Sequence, residues 1–225
     1  GNNSVAVGYL ALSATTTASD NNAFGVNALS SNTTGASNTG LGRSALRNNT
    51  TASNNTAVGS SALLSNTIGG ANVALGYGAL QDNTTGGSNV AIGHEALQNN
   101  TTASNNVAVG VDALYSNTTG TNNTAVGSSA GDSVTTANNC VAVGKDALAA
   151  NTTGGENVGL GAFAGQSLTT GVNNIFIGYL AGSHNVSTTT GIGNVLIGNY
   201  SDTTTVDAAY ANVIGYNVGG EAGYT

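Results

Sequence analysis

The chain has 225 residues, a formal net charge of −7 and 6% charged residues, and its only basic side chains besides two histidines are Arg43, Arg47 and Lys145. So few cations exclude a nucleic-acid surface built on phosphate neutralisation. No apolar run approaches the roughly 20 residues of a membrane helix, so no membrane insertion is expected in this segment. Cys140 stands alone, which rules out an intrachain disulfide, and His94 and His184 suggest neither a metal cluster nor a nucleophile–base triad. Neither a cofactor nor enzyme activity is therefore expected. The chain contains no methionine, as expected of a piece processed from something longer.

From the N-terminus, the first V-A-V-G run closes at Gly8, and equivalent glycines follow at Gly25, Gly42, Gly59, Gly76, Gly93, Gly110, Gly127, Gly144, Gly161, Gly178, Gly198 and Gly215. Every step is 17 residues except Gly178 to Gly198, which is 20, so three residues are inserted around S-H-N-V-S-T-T-T-G-I-G-N. Residues 1–225 are thus one continuous repeat array of thirteen copies, divergent over 199–225. The consensus is N-[VT]-A-[VIL]-G-x-x-A-L-x-x-N-T-T-[GA]-x-x.

Each copy opens with a run in which apolar residues flank a small one. That is the period of two expected of a strand, and glycine, asparagine and threonine disfavour a helix. The residue before the glycine runs Val7, Phe24, Leu41, Val58, Leu75, Ile92, Val109, Val126, Val143, Leu160, Ile177, Ile197, Ile214, and it is expected to point into a core. The chain lacks the Asn-Gly and Asp-Gly pairs of two-residue hairpins. Each copy is therefore expected to make one circuit of an all-β parallel solenoid, a β-roll of about thirteen coils. Stacked about 4.8 Å apart, the coils would each hold two short strands back to back and two turns.

After each glycine come two variable positions and then an alanine. The first variable column holds Tyr9, Arg43, Tyr77, His94, Lys145, Tyr179 and Tyr216, and these seven are a candidate ligand-contact surface. The second holds Glu95, Asp112 and Asp146 among residues as different as Leu10, Asn27, Gly78, Phe163 and Tyr200. It therefore reads as a solvated face, not a calcium ladder. The alanine recurs from Ala11 to Ala181. With the neighbouring leucine in the core, the alanine is expected to face outward, uniformly small because it packs against another subunit. Ala28, Ala45, Ala62, Ala79, Ala96, Ala113, Ala130 and Ala147 are the candidate interface.

Two asparagine columns complete the copy. One runs from Asn21 to Asn194, and the other through Asn32, Asn49, Asn66, Asn83, Asn100, Asn117 and Asn151. Both read as stacked amide ladders, and Cys140, standing in the first, reads as an inert buried side chain. The triplets at Asn32, Asn83 and Asn117 have the Asn-x-Thr form of a glycan acceptor. Successive threonines point to opposite faces, so N-T-T gives one outward threonine rank.

Units such as "NVAIGHEAL", "NVAVGVDAL" and "NTAVGSSAL" resemble the N-S-V-A-I-G repeats of YadA-like heads in trimeric autotransporter adhesins. They are also similar to repeats of phage-type tail fibres and other surface fibres. The resemblance covers residues 1 to about 198. It implies a left-handed β-roll packed as a tight homotrimer, outside the cell or on a virion, and supplies no catalytic residues. The head repeat is shorter than 17, so the extra residues are expected to widen the turn at N-T-T-G. The function expected is a fibre or adhesin-head segment that contacts a receptor, glycan or matrix protein. Alternatives are a self-assembling filament or an ice-binding solenoid.

Overall fold

The protein, described by a computed structural model over residues 3–184, 188–205 and 207–220, is all-β, with no helix among the described residues. It is a parallel β-solenoid with one three-residue strand per 17-residue coil. The chain forms two compact units, residues 1–112 and 113–225. In the first, β1 (Val5–Val7), β2 (Asn22–Phe24), β3 (Thr39–Leu41), β4 (Thr56–Val58), β5 (Val73–Leu75), β6 (Val90–Ile92) and β7 (Val107–Val109) pair in sequence order, all parallel. In the second, β8 (Thr124–Val126), β9 (Val141–Val143), β10 (Val158–Leu160), β11 (Ile175–Ile177), β12 (Val195–Ile197) and β14 (Asn212–Ile214) do the same. Among the described residues, the expected second strand of each coil is absent except in the last coils, where β13 (Asp202–Thr203) pairs with β15 (Gly219–Gly220) in a second sheet.

The circuit is closed by corners instead. The repeat glycine has φ between 128° and 146°, and the residues two, four and twelve positions later are left-handed in most coils. The fourth is usually a leucine: Leu29, Leu46, Leu63, Leu80, Leu97, Leu114 and Leu148 all have φ of 49–53°. A left-handed leucine costs about 1–2 kcal/mol, so something must hold it there. Its side chain is fully buried and its N–H is bonded to the next coil, as from Leu46 to the Ala62 carbonyl at 3.0 Å.

These leucines explain the small strand centres. A Cβ on Gly40 would stand 3.5 Å from the Leu29 side chain, and one on Gly159 would stand 2.9 Å from that of Leu148. Ala23, Ala57, Ala74, Ala91, Ala108 and Ala125 fill the same position in other coils and are 0% exposed. Where the leucine is missing, its volume is replaced. Gly131 and Gly165 occupy its left-handed position, and the asparagine three residues on becomes Val134 or Leu168, both buried. Phe176 then fills a strand centre, packed so closely on Gly165 and Gly182 that neither could carry a side chain.

The core is therefore built from the other face of the strand than the sequence suggested. The residue before the glycine points outward: Val7 is 55% exposed, Leu41 47% and Leu75 45%. A coil this narrow has room inside for alanine plus one leucine, and the larger strand residues must face away. The candidate interface alanines Ala28, Ala45, Ala62, Ala79, Ala96, Ala113, Ala130 and Ala147 are 0% exposed within the single chain. Their uniform smallness comes from the coil interior, and no subunit can touch them.

The 20-residue step leaves the sheet register intact, since Ile175 pairs with Val195 and Ile177 with Ile197. Residues 185–187 of the insertion, residue 206 and residues 221–225 of the divergent end lie outside the described residues.

Candidate functional site

The asparagine ladders hold the coils in register. Asn21 Oδ1 accepts from the Asn38 N–H at 2.9 Å, and Asn38 Oδ1 from the Asn55 N–H at 3.0 Å, while each Nδ2 donates to a carbonyl one coil on, such as Asn38 to Ala52 at 2.8 Å. In the second ladder, Asn66 Nδ2 donates to Asn49 Oδ1 at 2.9 Å and to the Gly69 carbonyl at 2.9 Å, and Asn83 Nδ2 donates to Asn66 Oδ1 at 2.8 Å. Asn151 Oδ1 accepts nothing, because the next rung is Leu168. These amides face inward, and the glycan-acceptor candidates Asn32, Asn83 and Asn117 are 0% exposed. A glycan on any of them is incompatible with the folded coil.

The first ladder places Cys140 with its Sγ 3.3 Å from the Gly154 carbonyl and its N–H on Asn123 Oδ1 at 2.9 Å. Burial pushes the thiol above its ordinary range, outweighing the hydrogen bonds at Asn157, Glu156 and Asn151 that favour the thiolate. Alkylation of the native protein near pH 8 is expected to run roughly 100-fold slower than in denaturant, as thiol titration would measure. The raised value also sets the sign of a pH effect. The unfolded thiol ionises first, so the penalty is absent at neutral pH, and stability falls as pH rises through the unfolded thiol range near about 8.5.

The threonine column behaves as the alternation predicts. The first threonine turns its hydroxyl to the next coil, as from Thr33 to the Thr50 carbonyl at 3.0 Å and from Thr135 to Thr152 at 3.1 Å. The second is exposed, as at Thr34, Thr51, Thr85 and Thr102, leaving one outward rank that Ile68 interrupts.

Of the ligand-contact candidates, Tyr9, Arg43, Tyr77 and His94 are exposed in the first unit, and Lys145, Tyr179 and Tyr216 in the second. Tyr77 stacks on His94 with ring centroids 5.3 Å apart and planes 19° from parallel. Lys145 Nζ lies 5.1 Å from the Phe163 ring centroid. Phe163 leads into an edge-to-face row through Tyr179, Tyr200 and Tyr216 at 5.8, 5.4 and 5.7 Å, with His184 against Tyr200 at 4.6 Å. Phe163, Tyr200 and His184 were not among the candidates, because the row draws on two neighbouring columns and the insertion.

Two further surfaces escape a reading of separate columns. The first is the outer face of the sheet. In each unit it carries two rows of side chains, Val5, Asn22, Thr39, Thr56, Val73, Val90 and Val107 beside Val7 to Val109 in the first, and Thr124 to Asn212 beside Val126 to Ile214 in the second. Neither row contains a charged residue. The second is a corner of the first unit, where ligand atoms of His94, Glu95 and Asp112 lie within 4.8 Å of one another. The left-handed turn makes this cluster by bringing positions one and two after the glycine together across adjacent coils, which the separate columns do not show.

In comparisons with known proteins, the chain matches no family model, no curated protein and no solved structure.

Proposed function

We propose that this chain is a segment of a non-enzymatic surface fibre, assembled by packing the outer sheet faces of identical chains against one another. The observation that carries this reading is the uncharged outer face in each unit, on which a wholly apolar row, such as Val7, Leu41 and Leu75, stands beside a row of valine, isoleucine, threonine and asparagine. An open row of valine, leucine and isoleucine is a liability in water unless covered. Burying each such side chain contributes about 1.5–3 kcal/mol. The charges that give the chain its net −7 lie off this face. Ridges repeating at the strand spacing interdigitate best with ridges of the same spacing, so the occupant is another copy of the chain. A face two side chains wide closes most simply as three copies about an axis along the coil stack, the arrangement that the head-repeat resemblance implies. The aromatic row through Tyr179, Tyr200 and Tyr216 would then stay outside as the contact surface for a glycan or host protein. The threonine rank is one side chain wide, which favours this reading over ice binding.

The test is mass in solution. Light scattering is expected to give a multiple of 21.8 kDa for the wild type and a shift toward a single chain for Leu75→Asp. Thr85→Asp, on the threonine rank, should leave the mass unchanged. Since Leu75 points outward, its substitution should leave the coil itself folded, with the β signal in circular dichroism retained. A monomeric wild type would overturn the assembly.

A further inference from the structure

We propose that His94, Glu95 and Asp112 form a binding site for a first-row transition-metal dication, with Zn2+ as the representative ion. The site stands apart from the sheet face and does not depend on the fibre reading. Glu95 and Asp112 occupy equivalent positions in adjacent coils, both left-handed at φ 56° and 57°, which stacks their side chains and leaves a carboxylate oxygen of each within 4.8 Å of the other. The Asp112 N–H donates to the His94 carbonyl at 3.0 Å, tying the two coils together at this corner. His94 Nδ1 is 3.8 Å from Glu95 Oε2. Among the described residues, neither carboxylate pairs with a lysine or arginine.

A second observation points to a ligand. Asp112 Oδ1 is shielded from solvent yet has no hydrogen-bond partner, an arrangement that is costly for an anionic oxygen. A dication would neutralise the stacked pair and supply the missing partner. The flat stacking of Tyr77 on His94 limits how the imidazole turns, which helps to pre-organise it.

The donor set selects the class of metal. One imidazole nitrogen and two carboxylate oxygens suit zinc and its neighbours, whereas calcium takes six to eight oxygens. Ligand bonds of about 2.0–2.2 Å require donor atoms roughly 3.4 Å apart. From within 4.8 Å, the three donors must draw together by about 1.4 Å or less, which small torsions of the Glu95, Asp112 and His94 side chains supply. Three protein donors leave at least one position for water.

The repeat itself supplies substitutions that preserve the coil. Ser60 holds the column of His94, and Asn27, at φ 58°, holds that of Asp112. Equilibrium dialysis of the intact chain against ZnCl2 is expected to show one saturable Zn2+ per chain. His94→Ser, Glu95→Gln and Asp112→Asn are each expected to weaken binding at least tenfold, and His184→Ser and Asp146→Asn to leave it unchanged. Co2+ should shift or broaden the imidazole resonances of His94 and spare those of His184, a readout that needs no variant. Absence of saturable zinc, a loss below tenfold in any of the three site variants, an equal response at His184, or calcium binding as tight as zinc would each overturn the proposal.

Discussion

Gly127→Ala is expected to destabilise the protein by roughly 2–6 kcal/mol, combining backbone strain with forced displacement of a neighbouring coil. Gly127 has φ +135°, and a Cβ there would stand 2.6 Å from the Gly144 carbonyl carbon and oxygen of the next coil. The obstacle is backbone, which cannot rotate aside like a side chain, and Gly144 faces Gly161 in the same way. Relief at one corner would have to pass up the stack. Urea or thermal unfolding measures the loss. Gly219→Ala, where a Cβ meets nothing within 4 Å, should stay within about 0.5 kcal/mol of the wild type. A loss below about 1 kcal/mol for Gly127→Ala would show that the coils do not meet backbone to backbone at this corner.

Asn66→Leu is expected to cost roughly 3–6 kcal/mol, even though it adds apolar volume to a fully buried position. It removes the acceptor of Asn83 Nδ2 and the donor to Asn49 Oδ1, and one of two donors to the Gly69 carbonyl, which keeps Asn55 Nδ2. Each group stranded in the interior costs about 1–3 kcal/mol. The chain also contains its own remedy. Its apolar rungs at this position, Val134 and Leu168, coincide with glycine in place of the preceding leucine, at Gly131 and Gly165. Leu63→Gly combined with Asn66→Leu should therefore be less destabilising than the sum of the two single changes, by about 1–3 kcal/mol. Strict additivity would mean that the paired exchange at Gly131/Val134 and Gly165/Leu168 is not volume compensation.

The step between glycines was enough to read the coil, its parallel pairing and its amide ladders, because each rests on a residue type that one backbone requirement selects. The direction of the strand faces was not legible. In V-A-V-G both faces are apolar, and hydrophobicity alone assigns the larger residue to the interior. The contrary assignment depends on Leu29 and its equivalents reaching beneath the next strand from a left-handed position, and leucine gives no sign of that conformation. Ala96 and Leu97 are consecutive and both fully buried, which strand alternation forbids but a left-handed turn permits. The corner at His94 was hidden for a related reason. Glu95 and Asp112 sit in a column that also contains Leu10 and Phe163, and its chemistry emerges only when two adjacent coils are set together.

The constant 17-residue offset between paired strands, as from Thr39 to Thr56, also bears on how quickly the chain can find its structure. Relative to a length of 225, that separation is about 0.08, which lies in the range of helical bundles, well below the range of β-sandwiches. A loop of the same modest length is closed each time a coil is added, and any completed coil presents the backbone groups, amides and leucine that the next one needs. Nucleation can therefore begin at many points along the sequence, and growth proceeds by local addition, without the wait for distant segments to meet that slows most all-β proteins.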